Sequence, residues 1–135
     1  MKLTIHTDGG ARGNPGPAGI GAVLADQAGS TVKEVSEYIG KATNNQAEYQ
    51  ALIRALEEAK KLGAADISVL MDSELIIKQI KGEYKVRDKG LQPLFVKAWN
   101  LLQGFSSFSV RHVPRAKNKR ADELVNKALD KKAAD

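Results

Sequence analysis

The pattern of apolar residues along this chain predicts an α/β domain in which helices cover a mixed β-sheet. Three observations carry that expectation. Three strand-like segments follow one another between Lys2 and Ile39 with short links, as in an antiparallel meander. From Thr43 onward, helix-period segments alternate with short apolar runs, the arrangement that lays helices over a sheet. At 135 residues, with 42% hydrophobic and 27% charged residues, the chain has the size and composition of one domain spanning 1–135. That is enough to bury a core without disulfides or structural metal.

Each element has its own signal. Lys2–Asp8 alternates apolar and polar residues and reads as a strand. Gly9 to Gly19 is rich in glycine and proline and reads as a turn or loop. Ala18–Ala25 and Thr31–Ile39 are expected strands, joined by a tight connection over Gln27–Ser30. Thr43 or Asn44 can cap a long helix that runs to about Lys61 and stops at Gly63. Ile67–Met71 reads as a short unbroken apolar run, as expected of a strand covered on both faces. Glu74–Ile80 reads as a helix ended by Gly82, and Gly90–Leu102 as another, with Pro93 tolerable in its first turn. Ser106–Val113 reads as a strand and Asn118–Lys131 as the last helix, with the final residues expected to fray. The order is βββαβααβα, with no internal repeat and no long linker.

The absence of cysteine excludes a disulfide framework, a thiolate zinc site and a cysteine nucleophile together. It fits a reducing, cytoplasmic setting, which is the expected location. No apolar run is long enough for a membrane span, and Met1–His6 reads as a strand start rather than a signal peptide. The net charge is +5, with basic residues gathered from Lys78 to Lys89 and from Arg111 to Arg120. Solvated lysines that aid solubility would account for such a balance, and a phosphate-binding surface is the sharper alternative.

Four acidic residues stand in settings where a carboxylate is costly unless something positive neutralises it. Glu48 falls in the helical stripe of Ala51, Leu52, Ala55, Ala59 and Leu62, where a surface glutamate has no place. A first-turn glutamate favoured by the helix dipole is the alternative. Asp72 closes the apolar run Ile67–Met71, at the end of a strand where α/β sheets gather ligands, or else caps the next helix. Asp8 closes the first strand before Gly9 and Gly10, which would let a substrate approach the backbone, or else forms an Asp-Gly turn. Asp122 lies one turn into the last helix beside Ala121, Val125 and Leu129, where dipole compensation also explains it. Their joint occurrence on four separate elements suggests one pocket for divalent metal, and in a basic protein a phosphate backbone is the expected thing presented to it.

The runs Asp8-Gly9-Gly10-Ala11-Arg12-Gly13-Asn14-Pro15-Gly16, Thr43-Asn44-Asn45-Gln46-Ala47-Glu48, Asp72-Ser73, and Asn118 with Ala121-Asp122-Glu123-Leu124 span nearly the whole chain. Together they resemble the ribonuclease H type 1 (ribonuclease HI) family, which cuts the RNA strand of RNA–DNA hybrids. The resemblance implies a ribonuclease H-like fold with a mixed five-stranded sheet. It also implies two magnesium ions (Mg2+, with Mn2+ as a substitute) held by Asp8, Glu48, Asp72 and Asp122. Asp8 is the expected bridge between the ions. Products with 5′-phosphate and 3′-hydroxyl ends are implied as well. Asn14, Asn44 and Asn45 are expected at the minor groove of the hybrid and Thr43 near a DNA phosphate, with Gly9 and Gly10 binding substrate where it approaches the backbone. Ser73, Arg115 and Asn118 complete the expected substrate-binding set. His112 matches a histidine that assists product release or proton transfer in the family, with Arg115 as its rival; His6 reads as structural. The partner implied is an RNA–DNA hybrid bound by a monomer, with no membrane.

The chain departs from the family in two places. Lys81–Gly90 is too short for the basic helical protrusion by which many bacterial relatives grip hybrid, so this is a compact form, although Lys81, Lys85, Arg87 and Lys89 remain. That trimming leaves double-stranded RNA or RNA–DNA junctions as alternative substrates. Asp88 stands where the family places an asparagine in its DNA-phosphate pocket, and a carboxylate there repels phosphate. No separate hybrid-binding module precedes the domain, which argues against processive action. A binding module without turnover is the non-enzymatic alternative, but that class usually loses one of the four acids and none is missing here.

Overall fold

The computed structural model describes residues 1–135. Five strands form one sheet in the order β3-β2-β1-β4-β5. The strands are β1 (Lys2–Ala11), β2 (Gly16–Ala25), β3 (Thr31–Ala42), β4 (Asp66–Met71) and β5 (Ser107–His112). The first three pair antiparallel as a meander, whereas β4 runs parallel to β1 and β5 parallel to β4. The helices are α1 (Asn44–Lys61), α2 (Glu74–Ile80), α3 (Gln92–Gln103) and α4 (Lys119–Ala134). On one side α1 packs on β1 and β2, α3 on α1, and α2 beside β5; α4 crosses β2, β3 and β1 on the other. No helix is long and apolar enough to cross a membrane.

The core lies between the sheet and α1. Leu3, Ile5, Leu24, Leu52, Leu56, Val69, Ile76 and Leu102 are wholly buried there, and Tyr49 joins them by donating its hydroxyl to Gln79 Oε1 at 2.5 Å. The expected βββαβααβα order holds. One short 3₁₀ turn, Arg115–Lys117, was not expected and leads directly into α4.

Two expectations need correction. Gly9–Gly19 is not one loop: β1 runs on to Ala11 and β2 starts at Gly16, so only four residues turn between the strands. Some glycines of β1 and β2 are there because helices pass close by. A side chain on Gly9 would strike the Ala47 carbonyl of α1, and one on Gly21 would strike the Ala121 carbonyl of α4. At Gly9 and Gly21 close approach is the cause, whereas Gly13, at φ +90°, serves the turn itself. The second correction concerns β4, which buries only Ile67, Val69 and Met71 while Ser68 and Leu70 stay half-exposed, because α4 does not reach that part of the sheet.

Candidate active site

The first parallel pair of strands sets the site. Thr7 pairs with Met71 at the last register of β1 and β4, so Asp8 and Asp72 come side by side just past it, Asp72 at the carboxyl end of β4 and Asp8 within β1, where only β2 still pairs with it. Glu48 comes from the first turns of α1, whose start is fixed by a capping box. Thr43 Oγ1 accepts from the Gln46 N–H, and Gln46 Oε1 accepts from the Thr43 N–H. The bare Gly9 lets that helix come close enough for the Gly9 N–H to donate to Glu48 Oε1 at 2.8 Å. Ligand oxygens of Asp8, Glu48 and Asp72 all lie within 4.8 Å of one another. Asp122 approaches from α4 on the other side of the sheet, with Arg115 Nη2 at 3.7 Å from its Oδ1.

These groups strain against one another electrostatically. Burial pushes the Asp8 carboxyl up to about 7, and the Asp72 charge and a hydrogen bond with Asp122 add to that; the Gly9 N–H pulls the other way. Glu48 is also raised well above the usual carboxylate range, by burial first and then by Asp8 and Asp72. A cluster of buried carboxylates that holds protons so tightly is one whose charge asks for a cation. The donor set is all oxygen, as hard divalent ions such as magnesium prefer. The residues therefore fit a divalent metal, with Asp8, Glu48 and Asp72 as a tight group and Asp122 as an outlying donor.

A cleft of about 590 Å³ surrounds the cluster. Of the residues expected at the site, Asp8, Gly9, Gly10, Asn44, Asn45, Glu48, Asp72, His112, Arg115 and Asp122 all line it. Arg12, Pro114, Asn126 and Leu129 line it too and were not expected. Asn126 was within reach of helical periodicity, since it stands one turn beyond Asp122 on the same face. His112 Nε2 sits 4.0 Å from Glu74 Oε1, so it is drawn toward the start of α2. His6 is half-buried in β1, and its burial lowers its pKa.

Four expected substrate residues stand outside the cleft lining. Asn14 is exposed and its Oδ1 accepts from the Asn44 N–H at 3.0 Å, while Asn44 Oδ1 accepts from the Ala11 N–H at 2.8 Å. Together they stitch the β1–β2 turn to the start of α1. Thr43 caps α1 and Ser73 caps α2. Asn118 is only 1% exposed, with Nδ2 donating to the Thr7 carbonyl at 2.8 Å. A side chain so buried does not touch substrate, which corrects its expected role. Asp88 Oδ1 accepts from the Gly90 N–H at 2.7 Å and holds the turn before α3.

Comparison with known proteins agrees with this geometry. Residues 6–128 match the family described as reverse transcriptase-like. Ribonuclease HI of Halobacterium salinarum is 52% identical over 129 residues, 96% of this chain and 65% of that protein. A bifunctional protein of Mycobacterium tuberculosis is 50% identical over 131 residues, 96% of this chain but only 36% of its own length. The chain thus spans roughly a third to two thirds of those relatives. The crystal structure of RNase H1 from Halobacterium salinarum has a TM-score of 0.95 at 49% identity, covering 97% of this chain and 99% of that one. LC11-RNase H1, isolated from compost and solved in complex with an RNA/DNA hybrid, has a TM-score of 0.92 at 50% identity, covering 97% and 99%. Since the likeness in sequence and in backbone runs the length of the domain, this chain belongs to the ribonuclease H family.

Proposed function

We propose that this protein is a magnesium-dependent endoribonuclease that hydrolyses the RNA strand of RNA–DNA hybrids and leaves 5′-phosphate and 3′-hydroxyl ends. The observation that carries the reading is the convergence of Asp8, Glu48 and Asp72 within 4.8 Å, with Asp122 facing them across the cleft. Divalent metal held by these carboxylates would supply activation of water and charge stabilisation for phosphodiester hydrolysis. Asp8 is central to the cluster and is suited to bridge two such ions. Glu48 and Asp72 would hold one ion, and Asp122 the other.

The remaining residues orient the nucleic acid. Asn44 and Asn45 present amides at the cleft beside Gly10, where a side chain would meet nothing closer than 4.0 Å. Polar amides over an open backbone suit a minor groove displaying 2′-hydroxyls, the feature by which RNA is told from DNA. Arg115 stands 80% exposed beside Asp122, placed to meet a phosphate as it enters. His112 lines the same cleft and is suited to move a proton at the leaving side.

Labelled RNA–DNA hybrid, double-stranded RNA and DNA duplex, each with magnesium or chelator, test the reading in one assay. Cleavage of the RNA strand of the hybrid alone, abolished by chelator, is the expected result. Asp8→Asn should lose cleavage while still binding hybrid in calcium. Near-normal magnesium-dependent turnover by that variant would place the chemistry elsewhere. Preferential cleavage of double-stranded RNA would shift the substrate assignment and leave the chemistry intact.

A further inference from the structure

We infer that Asn118 is a positioning residue: its buried amide ties β1 to α4 and sets the gap between Asp8 and Asp122 in which the outlying cation is held. The inference rests on the metal-dependent reading above and deepens it. Asn118 Nδ2 donates to the carbonyl of Thr7, the residue immediately before Asp8. The Asn118 carbonyl in turn accepts from the Asp122 N–H at 3.2 Å. One residue therefore holds Asp122 by its own backbone N–H and Asp8 through the carbonyl of its neighbour Thr7, across 111 positions of sequence.

The side chain is costly where it is, and local structure does not repay the cost. Asn118 occupies the N-cap position of α4, where an asparagine ordinarily turns its oxygen onto the first free amides of the helix. Here it makes no such bond and points into the sheet instead. Its Oδ1 is buried without a hydrogen-bond partner, and so is Thr7 Oγ1. An unpaired, desolvated acceptor opposes folding. A residue chosen only to start the helix would have capped it.

No other tie does the same work. Ser36 Oγ donates to the Leu124 carbonyl, Arg120 pairs with Glu34, and Arg12 pairs with Asp130. The first two fasten α4 to the β3 edge and the third reaches its far end. Of these ties only the Asn118 bond is fully buried, and only it is made to the backbone next to Asp8. The tight group of Asp8, Glu48 and Asp72 does not include Asp122, so the outlying ligand depends on how α4 is hung.

The test is a manganese titration followed by electron paramagnetic resonance. The protein is bound to a hybrid whose RNA strand carries uncleavable 2′-O-methyl groups. Wild type, Asn118→Ala, Asn118→Asp and Leu124→Ala are compared; Leu124→Ala loosens α4 through its apolar face, away from the cleft. Wild type should take up two ions of unequal affinity. Both Asn118 variants should weaken the looser ion by about tenfold or more and the tighter one by less than about twofold, while Leu124→Ala moves neither. Equal weakening of both ions, or no change in either, would overturn the inference. Failure of wild type to bind a second ion or to cut hybrid would instead count against the function proposed above. Should the variants not fold, the wild-type side chain decides. Its amide protons should exchange slowly and show hydrogen-bond coupling to the Thr7 carbonyl, and rapid exchange would overturn the clamp.

Discussion

Removing one carboxylate from the cluster should make the metal-free protein more stable above neutral pH. Asp8 is 9% exposed and its carboxyl titrates near 7 in the folded chain, against an ordinary value of 3.8. Between those values the unfolded chain has released a proton that the folded chain still holds. Stability from this group is therefore complete below pH 3.8 and is lost as pH rises to about 7. Each pH unit between the two is worth about 1.4 kcal/mol, so the loss reaches about 4 kcal/mol. Glu48 is raised as well, by burial first and then by the Asp8 and Asp72 charges, so the slope belongs to the cluster rather than to one residue. Asp8→Asn removes the charge at nearly constant shape, but an incompletely bonded buried amide returns only part of the loss. A gain of about 2 kcal/mol at pH 8 is expected, and little or none at pH 4. Urea unfolding in chelator at pH 4 to 9 measures it. Magnesium should reverse the ranking at pH 8, because only the parent gains stability by binding it. Parallel stability curves for parent and variant across that range would show that these carboxylates do not repel one another, and the metal site would lose its electrostatic basis.

Three further outcomes follow from the packing. Gly21→Ala drives a methyl group into the Ala121 carbonyl and to 2.9 Å from Leu124 Cβ, so it should cost about 1–3 kcal/mol in urea unfolding. Hybrid cleavage should fall with it, because the strike lands one residue from Asp122; an unchanged midpoint would mean α4 is free to slide. Thr43→Ala removes one side of the α1 capping box and should cost about 1 kcal/mol, largely restored by Thr43→Ser. Asp88→Asn keeps an oxygen for the Gly90 N–H while removing a charge near Gln46, and should tighten hybrid binding at low salt. The advantage should vanish as salt shortens the screening length to about 3 Å near 1 M. Equal affinity of parent and Asp88→Asn at every salt concentration would place this residue away from phosphate.

The sequence made the carboxylates legible because burying a charge contradicts local pattern. Glu48 interrupts an apolar stripe, and Asp72 ends an apolar strand; each violates a rule that the rest of its element obeys. Helix α2 was readable to the residue, since Ser73, Glu74 and Gly82 punctuate it at both ends. The stretch Gly9–Gly19 was misread as one loop for a physical reason. Composition says that a glycine relieves crowding or permits an unusual backbone, but not which. At Gly9 the crowding comes from Ala47 of α1, far along the chain, which no local window contains. A turn was the local explanation, and a helix crossing was the true one.

Cap positions were ambiguous in the same way. Thr43, Ser73 and Asn118 all precede helices, and each carries a side chain suited either to capping or to contact with nucleic acid. The structure separates them by where the hydrogen bonds go. Thr43 and Ser73 spend their oxygens on the helices they start. Asn118 leaves its helix uncapped and spends its amide on Thr7 instead. That departure is informative because it breaks a preference worth about 1 kcal/mol and leaves a buried oxygen unpaired besides. A sequence reading identifies the residue but not the choice, since the choice depends on a carbonyl 111 residues away. The clustered carboxylates announce themselves by being out of place on their own elements. The residue that spaces them is out of place only in three dimensions, where a cap has turned its back on its helix.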